Sequence, residues 1–292
     1  MRRLVARGSW LALLFTFAGA QAAAAGSLVW AIRGPHNTVY VAGSVHLLKR
    51  TETQLPAALD RAYADAEAVV MELDLDDLDP MQAARWLLER GTYADDTTLR
   101  DTLGTRRHER LEAAATQVGL PIETLQRLEP WAVALTLVEV AYARLDYDPD
   151  AGVERQLERR ARQDGKEIRG LETVEEQLGV LDALPLDDQR RFLDQTVEEL
   201  DELGAQTEEL LDAWRAGDAD SLARLLASEY DEFPSLYQAL VVERNRRWMP
   251  QIERLLTGDR DYLVVVGVLH VVGDQGLVAL AKQRGLRPKP FH

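Results

Sequence analysis

The chain has 292 residues, a formal net charge of -15 and no cysteine. That length suits one large domain or two small ones. The acidity argues against nucleic acid and anionic lipid as partners. The missing thiols exclude disulfides, cysteine nucleophiles and thiolate metal ligands. A bound metal would have to rest on His, carboxylate or carbonyl oxygen, a donor set for Mn, Co, Fe, Zn or Ca rather than Cu(I).

In chain order, the first predicted element is a leader. Arg2, Arg3 and Arg7 are followed by an apolar run from Trp10 to Ala20 and the small-x-small triplet Ala20-Gln21-Ala22. This pattern predicts a signal peptide over residues 1–22 and an exported mature chain, 23–292, periplasmic or secreted. The alternative is an uncleaved anchor, for which the run is short against the roughly 20 residues of a membrane span. No transmembrane segment is expected in the mature chain. Pro130 to Tyr142 is apolar, but it is short, contains Glu139 and reads as a buried helix.

Leu28–Ile32 and Thr38–Ala42 read as a hairpin around the turn Gly34-Pro35-His36-Asn37. A helix is expected over Leu55–Ala66, and a short strand over Ala68–Leu73. From about Asp79 to Leu184 the apolar spacing is helical, with Pro121 and Pro130 as helix starts. Lys166–Leu171 reads as a strand after the Gly165 turn. One long acidic amphipathic helix is expected over Asp187–Gly217, then helices over Ala219–Tyr230 and Leu236–Leu256. Tyr262–Val268 is almost continuously aliphatic, as in a central strand buried on both faces. A last helix is expected over about Gln275–Arg284. The fold class is therefore helix-rich α/β, with a central mixed sheet in two pseudo-repeated halves and a helical insertion between them.

Four groups of residues could carry chemistry. The chain has five His, and two of them stand in matched settings: an apolar run ends at Gly43 and His46 follows three residues later, as His270 follows Gly267. Strand ends are rigid and face a crevice in α/β folds, and a Gly there allows close approach of backbone or ligand. An ordinary strand-end His bonded to backbone carbonyls is the plainer alternative for either one alone. Glu72 abuts the apolar run Val69-Val70-Met71, where a buried carboxylate is costly unless paired or metal-bound; the acids after it read as a solvated loop. Glu172 and Gln177 follow Arg169-Gly170-Leu171, and Thr173 with Glu176 forms a capping-box pattern. Arg244 and Asn245 lie in Glu243-Arg244-Asn245-Arg246-Arg247-Trp248, a cluster that also suits a solvated helix surface. There is no Walker loop, dinucleotide fingerprint or His-Glu-x-x-His helix.

Taken together, Gly43-Ser44-Val45-His46, the strand-end Glu72, the stretch Gly152 to Gln177 with its Gly-Leu-Glu-Thr, Glu243-Arg244-Asn245 and Val266-Gly267-Val268-Leu269-His270 resemble the TraB/GumN family. The resemblance spans essentially the whole mature chain, in order. Animal relatives of the TIKI branch are metal-dependent proteases with the same pair of Gly-x-x-His motifs, and the wider fold is similar to that of ChaN-like and erythromycin-esterase-like proteins. The resemblance implies one cavity around His46, His270, Glu72 and Glu172, with Arg244 as an electrophilic or substrate-holding group. One position departs from it: Gly152-Val153-Glu154 has Glu where Asp is expected, one methylene longer.

The leading expectation is an exported metal-dependent, peptidase-like hydrolase acting on a peptide or small molecule. His46, His270 and Glu72 would hold a divalent ion (Mn, Co or Zn) with an open position for water. Glu72 or Glu172 would serve as general base and Arg244 would stabilise the oxyanion. Gly43, Gly267, Asn245, Gln177 and Glu154 would line the site or support it. The alternatives are a metal-free esterase-like hydrolase, in which a His oriented by a Glu activates water, and a non-catalytic protein that binds haem or a partner.

Overall fold

The computed structural model describes residues 26–74, 80–230 and 233–292. The expected signal peptide lies outside them. In chain order the elements begin with strands β1 (Val29–Arg33), β2 (Thr38–Ser44) and β3 (Leu48–Lys49), helix α1 (Ala57–Asp65), strand β4 (Ala68–Leu73), and helices α2 (Pro80–Arg90), α3 (Leu99–Gln117) and α4 (Pro130–Arg144). Next come β5 (Tyr147–Asp148), α5 (Val153–Asp164), β6 (Glu167–Glu172), α6 (Val174–Asp182), α7 (Leu186–Glu199), α8 (Leu203–Ala216) and α9 (Ala219–Tyr230). The chain closes with α10 (Pro234–Tyr237), a π-helical turn over Gln238–Val242, α11 (Glu243–Leu255), β7 (Tyr262–Gly267), α12 (Val268–Val271), α13 (Leu277–Gln283) and β8 (Lys289–Pro290).

Six strands form one mixed sheet in the order β6-β4-β7-β2-β1-β8. The neighbours β6, β4, β7 and β2 run parallel, while β1 and β8 join antiparallel. The aliphatic run of β7 is buried at all six positions, as expected for an interior parallel strand covered on both faces. Each such Val or Leu contributes roughly 1.5–3 kcal/mol of burial. The β1–β2 hairpin follows from the Gly34–Asn37 turn, closed by a backbone bond from Gly34 N–H to the Asn37 carbonyl. Helices α3 and α6 start at Thr98 and Thr173, each with a complete capping box.

The helical segment between β4 and β6 keeps a second apolar cluster, including Leu99, Leu111, Val133 and Leu137, to which Leu193 and Leu200 are added from the α7 region. That attachment explains one correction. The expected single helix over 187–217 is two helices broken at residues 200–202. The α7 face packs into this second cluster, whereas Leu211 and Trp214 of α8 belong to the main sheet core. One straight helix would not serve both. The expected helix over 236–256 likewise passes through a π-helical turn before α11, a device that re-aims side chains and recurs at functional sites.

Candidate active site

The parallel order brings four strand ends to one edge, the position at which α/β sheets bind ligands. Glu172 ends β6, Glu72 lies in β4, Gly267 ends β7 just before the short helix with His270, and Ser44 ends β2 just before His46. Register holds β2 against β7, with Ser44 opposite Gly267. The two Gly-x-x-His motifs are thus neighbours at the same edge. A Cβ on Gly267 would lie 3.0 Å from His46 Nε2 and 3.3 Å from Glu72 Oε1, so a side chain there would press on both groups.

Arg244 occupies the middle. It is buried, and it arrives from α11 just past the π-helical turn. Its Nη2 donates to Glu72 Oε2 and Glu172 Oε1, both at 2.6 Å, and its Nε donates to Glu172 at 3.0 Å. Its Nη1 donates to the Leu240 carbonyl at 3.0 Å and to His270 Nε2 at 2.9 Å. These contacts engage all five guanidinium N–H groups. No donor is left for a developing oxyanion, so Arg244 positions the buried acids and His270, and the expected electrophilic role is not met in this arrangement.

Because arginine only donates, His270 Nε2 must accept, and the proton of this imidazole sits on Nδ1. Nδ1 donates to Asn245 Oδ1 at 2.8 Å, while Asn245 Nδ2 donates to the carbonyls of His270 and Gln275. The chain of bonds is consistent throughout. Burial pushes His270 down to about 3, with Arg244 acting in the same direction, so it is neutral at physiological pH. The indole of Trp248 packs at a tilt against His270, ring centroids 4.6 Å apart, and donates to Glu172 Oε2 at 3.2 Å.

Burial alone would raise Glu72, but His270, His46, Arg244 and the Gly267 N–H (2.7 Å to Oε1) outweigh it and hold the carboxyl at about 2. Since His270 is neutral at physiological pH, the charges of His46 and Arg244 and the Gly267 bond keep Glu72 ionised there. Gln177 also donates to Glu72 Oε2, at 3.0 Å. Glu172 is raised by burial despite Arg244.

His46 differs from this buried group, since its ring is 60 % exposed. Nδ1 lies 2.9 Å from Glu154 Oε1, and Nε2 points toward Glu72 Oε1 at 3.9 Å. The Ser44 hydroxyl also donates to Glu154. The Glu154 carboxylate lifts His46 to about 9, with Glu72 adding to the effect, and solvent screens part of this pairing. Burial would raise Glu154, but His46 and Ser44 hold it below the usual carboxylate range. The longer Glu side chain thus reaches the imidazole. Gly152 lets the His46 backbone pass close by: a Cβ there would meet the His46 carbonyl oxygen at 2.1 Å.

Nine of the residues expected at the site converge: His46, Glu72, Glu154, Glu172, Gln177, Arg244, Asn245, Gly267 and His270. Gly43 does not line the cluster. It lets α12 pack close, a Cβ being 2.9 Å from Val268 Cγ2, and its carbonyl accepts the Trp214 indole N–H. Sequence reasoning missed Ser44 and Trp248. The helical period offered a signal for Trp248, which lies four residues after Arg244 and so on the same face.

The fold and this edge cluster define an α/β protein with a histidine–carboxylate site at the ends of its parallel strands. The chain belongs to the TraB/PrgY/gumN family, whose model matches residues 28–290. Among curated relatives, it is similar to the uncharacterized protein YbaP of Escherichia coli (strain K12), 23 % identical over 238 residues, or 82 % of this chain and 85 % of that one. An uncharacterized protein of Treponema pallidum (strain Nichols) is 23 % identical over 154 residues, 53 % of this chain and 46 % of the other. No solved structure matches significantly. Among the described residues, no helix is long and apolar enough to cross a membrane.

Proposed function

We propose that this protein is an exported hydrolase in which His46, steered by Glu154, activates water against an acyl carbon of a peptide or small-molecule ester. The observation that carries the reading is the open geometry of His46. Its Nδ1–H is held by Glu154, and its Nε2 faces an ionised Glu72 oxygen across 3.9 Å. A water set to one side of that line can hydrogen-bond to both. Unprotonated Nε2 takes the water proton as the hydroxide oxygen bonds to the acyl carbon. It then returns the proton to the leaving group as the tetrahedral intermediate collapses. Glu72, with a pKa of about 2, accepts a hydrogen bond from this water and does not serve as the proton acceptor. Export is supported by the leader pattern of residues 1–22.

The metal-dependent alternative asks more of these residues. His46 Nε2 and Glu72 Oε1 lie within the roughly 4 Å that two bonds of about 2 Å can span. The third expected ligand, His270, already gives its Nε2 lone pair to Arg244. A guanidinium thus stands where the third bond would form, and among the described residues no three His or carboxylate groups are arranged to hold an ion. As arranged, the donor set does not fit a divalent metal, and no step is routed through one.

The test is a pH profile on chelator-treated full-length protein, screened against peptide and ester substrates. With His46 at about 9, roughly 1 % of its rings are unprotonated at pH 7. Activity should rise about tenfold per pH unit, level off near pH 9, and vanish in His46→Ala, whose fold should survive because the ring is largely exposed. Activity that requires added Mn or Co would overturn the proposal in favour of the metal reading. A fully active His46→Ala would overturn both. No hydrolysis across the screen, with a visible absorption band on the purified protein, would favour the haem-binding reading.

A further inference from the structure

A cleft of about 320 Å³ lies at the β6 edge of the sheet, against the last turns of α11. Its walls include Arg169, Leu171, Gln251, Arg254, Thr257 and Tyr262. None of the buried groups at the strand ends contributes to it. The helical period explains how α11 serves both places. Arg247, Gln251 and Arg254 follow one another at four and three residues and so share a face. Arg247 reaches Glu172 at 3.8 Å, Gln251 donates to the Leu171 carbonyl at 2.8 Å, and Arg254 lines the cleft. This face therefore follows β6 backward from the site. Arg254 is displaced by about 10 Å along the helix axis from Arg247 at the site.

The wall chemistry is one-sided. In a chain of net charge -15, the residues lining the cleft include two arginines and no carboxylate. Arg169 is held in place from both sides: its Nε donates to Glu167 at 2.6 Å, and its guanidinium lies over the Tyr262 ring at 5.6 Å. The Glu167 bond uses one N–H and the Tyr262 side chain engages another, which leaves the rest of the terminal fork for a ligand. Arg254 is exposed and has no ion-pair partner among the described residues. Val70, Leu171 and Leu255 supply apolar wall beside these cations. The volume exceeds what a lone inorganic ion needs and lies at the small end of organic-ligand sites.

We infer that this cleft is a second binding site, for a small organic oxyanion in which a carboxylate or phosphate is joined to an apolar body. Arg254 and Arg169 would take the oxyanion, and Val70, Leu171 and Leu255 the body. The inference does not depend on the hydrolytic reading. The anion could be the charged end of a longer substrate or a free metabolite, and the chemistry of recognition is the same.

Titration calorimetry on the full-length protein, with phenyl phosphate, benzoate and neutral phenol as probes, tests it. Saturable binding of at least one anion, and weaker binding of phenol, is expected. Arg254→Ala should weaken anion binding about ten- to a hundred-fold, the worth of one charge-assisted contact. Arg254→Lys should restore part of it, and the exposed control Arg106→Ala should change nothing. Binding should persist in His46→Ala, since His46 lies outside the cleft. Failure of both anions to bind, unchanged affinity in Arg254→Ala, or loss of binding in His46→Ala would overturn the inference. If it holds, a kinetic arm separates the sources: an anion that raises KM without changing kcat occupies the place of a substrate end, and one that leaves KM unchanged is an independent ligand.

Discussion

Removing Arg244 should be the costliest single change at this site, and its cost should depend on pH. In Arg244→Ala, two buried carboxylates lose the buried guanidinium they share, and the Leu240 carbonyl and His270 Nε2 each lose a donor. Breaking a buried ion pair from one side costs about 3–5 kcal/mol, and an unsatisfied buried acceptor about 1–3 kcal/mol. A loss of at least about 4 kcal/mol at pH 8 is expected, much of the 5–15 kcal/mol that holds a typical domain. The sign with pH follows from linkage. In the wild type Glu72 is depressed to about 2, so its contribution is present above the unfolded value near 4.5 and is lost as pH falls toward 2. In the variant, burial without the guanidinium raises Glu172 further and removes one cause of the Glu72 depression. A raised carboxyl favours the fold below its unfolded pKa, and that advantage is lost as pH rises through the folded value. The variant should therefore be nearest the wild type at about pH 5 and furthest from it at pH 8. Urea unfolding of both proteins at pH 5, 6.5 and 8 measures this. A difference below about 1 kcal/mol, or one constant across the three pH values, would refute the account of Arg244 as the cation that keeps both acids buried.

Two further substitutions probe His46. Glu154→Gln removes the main cause of its raised pKa, so the imidazole should titrate closer to its ordinary value near 6.5; NMR titration of the His46 ring reads this directly, and a ring still titrating near 9 would mean that Glu154 is not the cause. Gly267→Ala would place a methyl 3.0 Å from His46 Nε2 and 3.3 Å from Glu72 Oε1. The backbone there, at φ -49°, tolerates a side chain, so the fold should be nearly as stable while hydrolysis falls at least tenfold, a drop that unchanged kcat/KM would contradict.

What was legible in the sequence was whatever a short window contains. The aliphatic runs of β4 and β7, the turn of the first hairpin, the capping box at Thr173 and the repeated Gly-x-x-His are all local, and their physical causes lie within a few residues. Parallel pairing then put the two histidine motifs side by side, because each sits at the carboxyl end of its strand. The break at residues 200–202 was not legible. The amphipathic spacing continues across it, and the decision is made by two different apolar clusters that claim the two halves.

Arg244 shows where window reading stops. In sequence it is one of several arginines on a polar helix, the usual mark of a solvated face. Its burial is decided by Glu172 and Glu72, at separations of 72 and 172 residues, and by the π-helical turn that sets the phase of α11. The consequence reaches the chemistry. With both acids and His270 tied to one guanidinium, the buried part of the site is fixed and fully bonded. His46, just past the end of the next strand, is left exposed with a partner of its own in Glu154. A fully bonded acidic floor beside one exposed imidazole, oriented by its own carboxylate, suits the proposed water activation. It also makes His46 hard to deprotonate, since every acid that orients the ring or the water stabilises its charged form. The proposed hydrolysis should therefore be slow at neutral pH and faster in alkali, a profile set by this charge balance and by Glu154 above all.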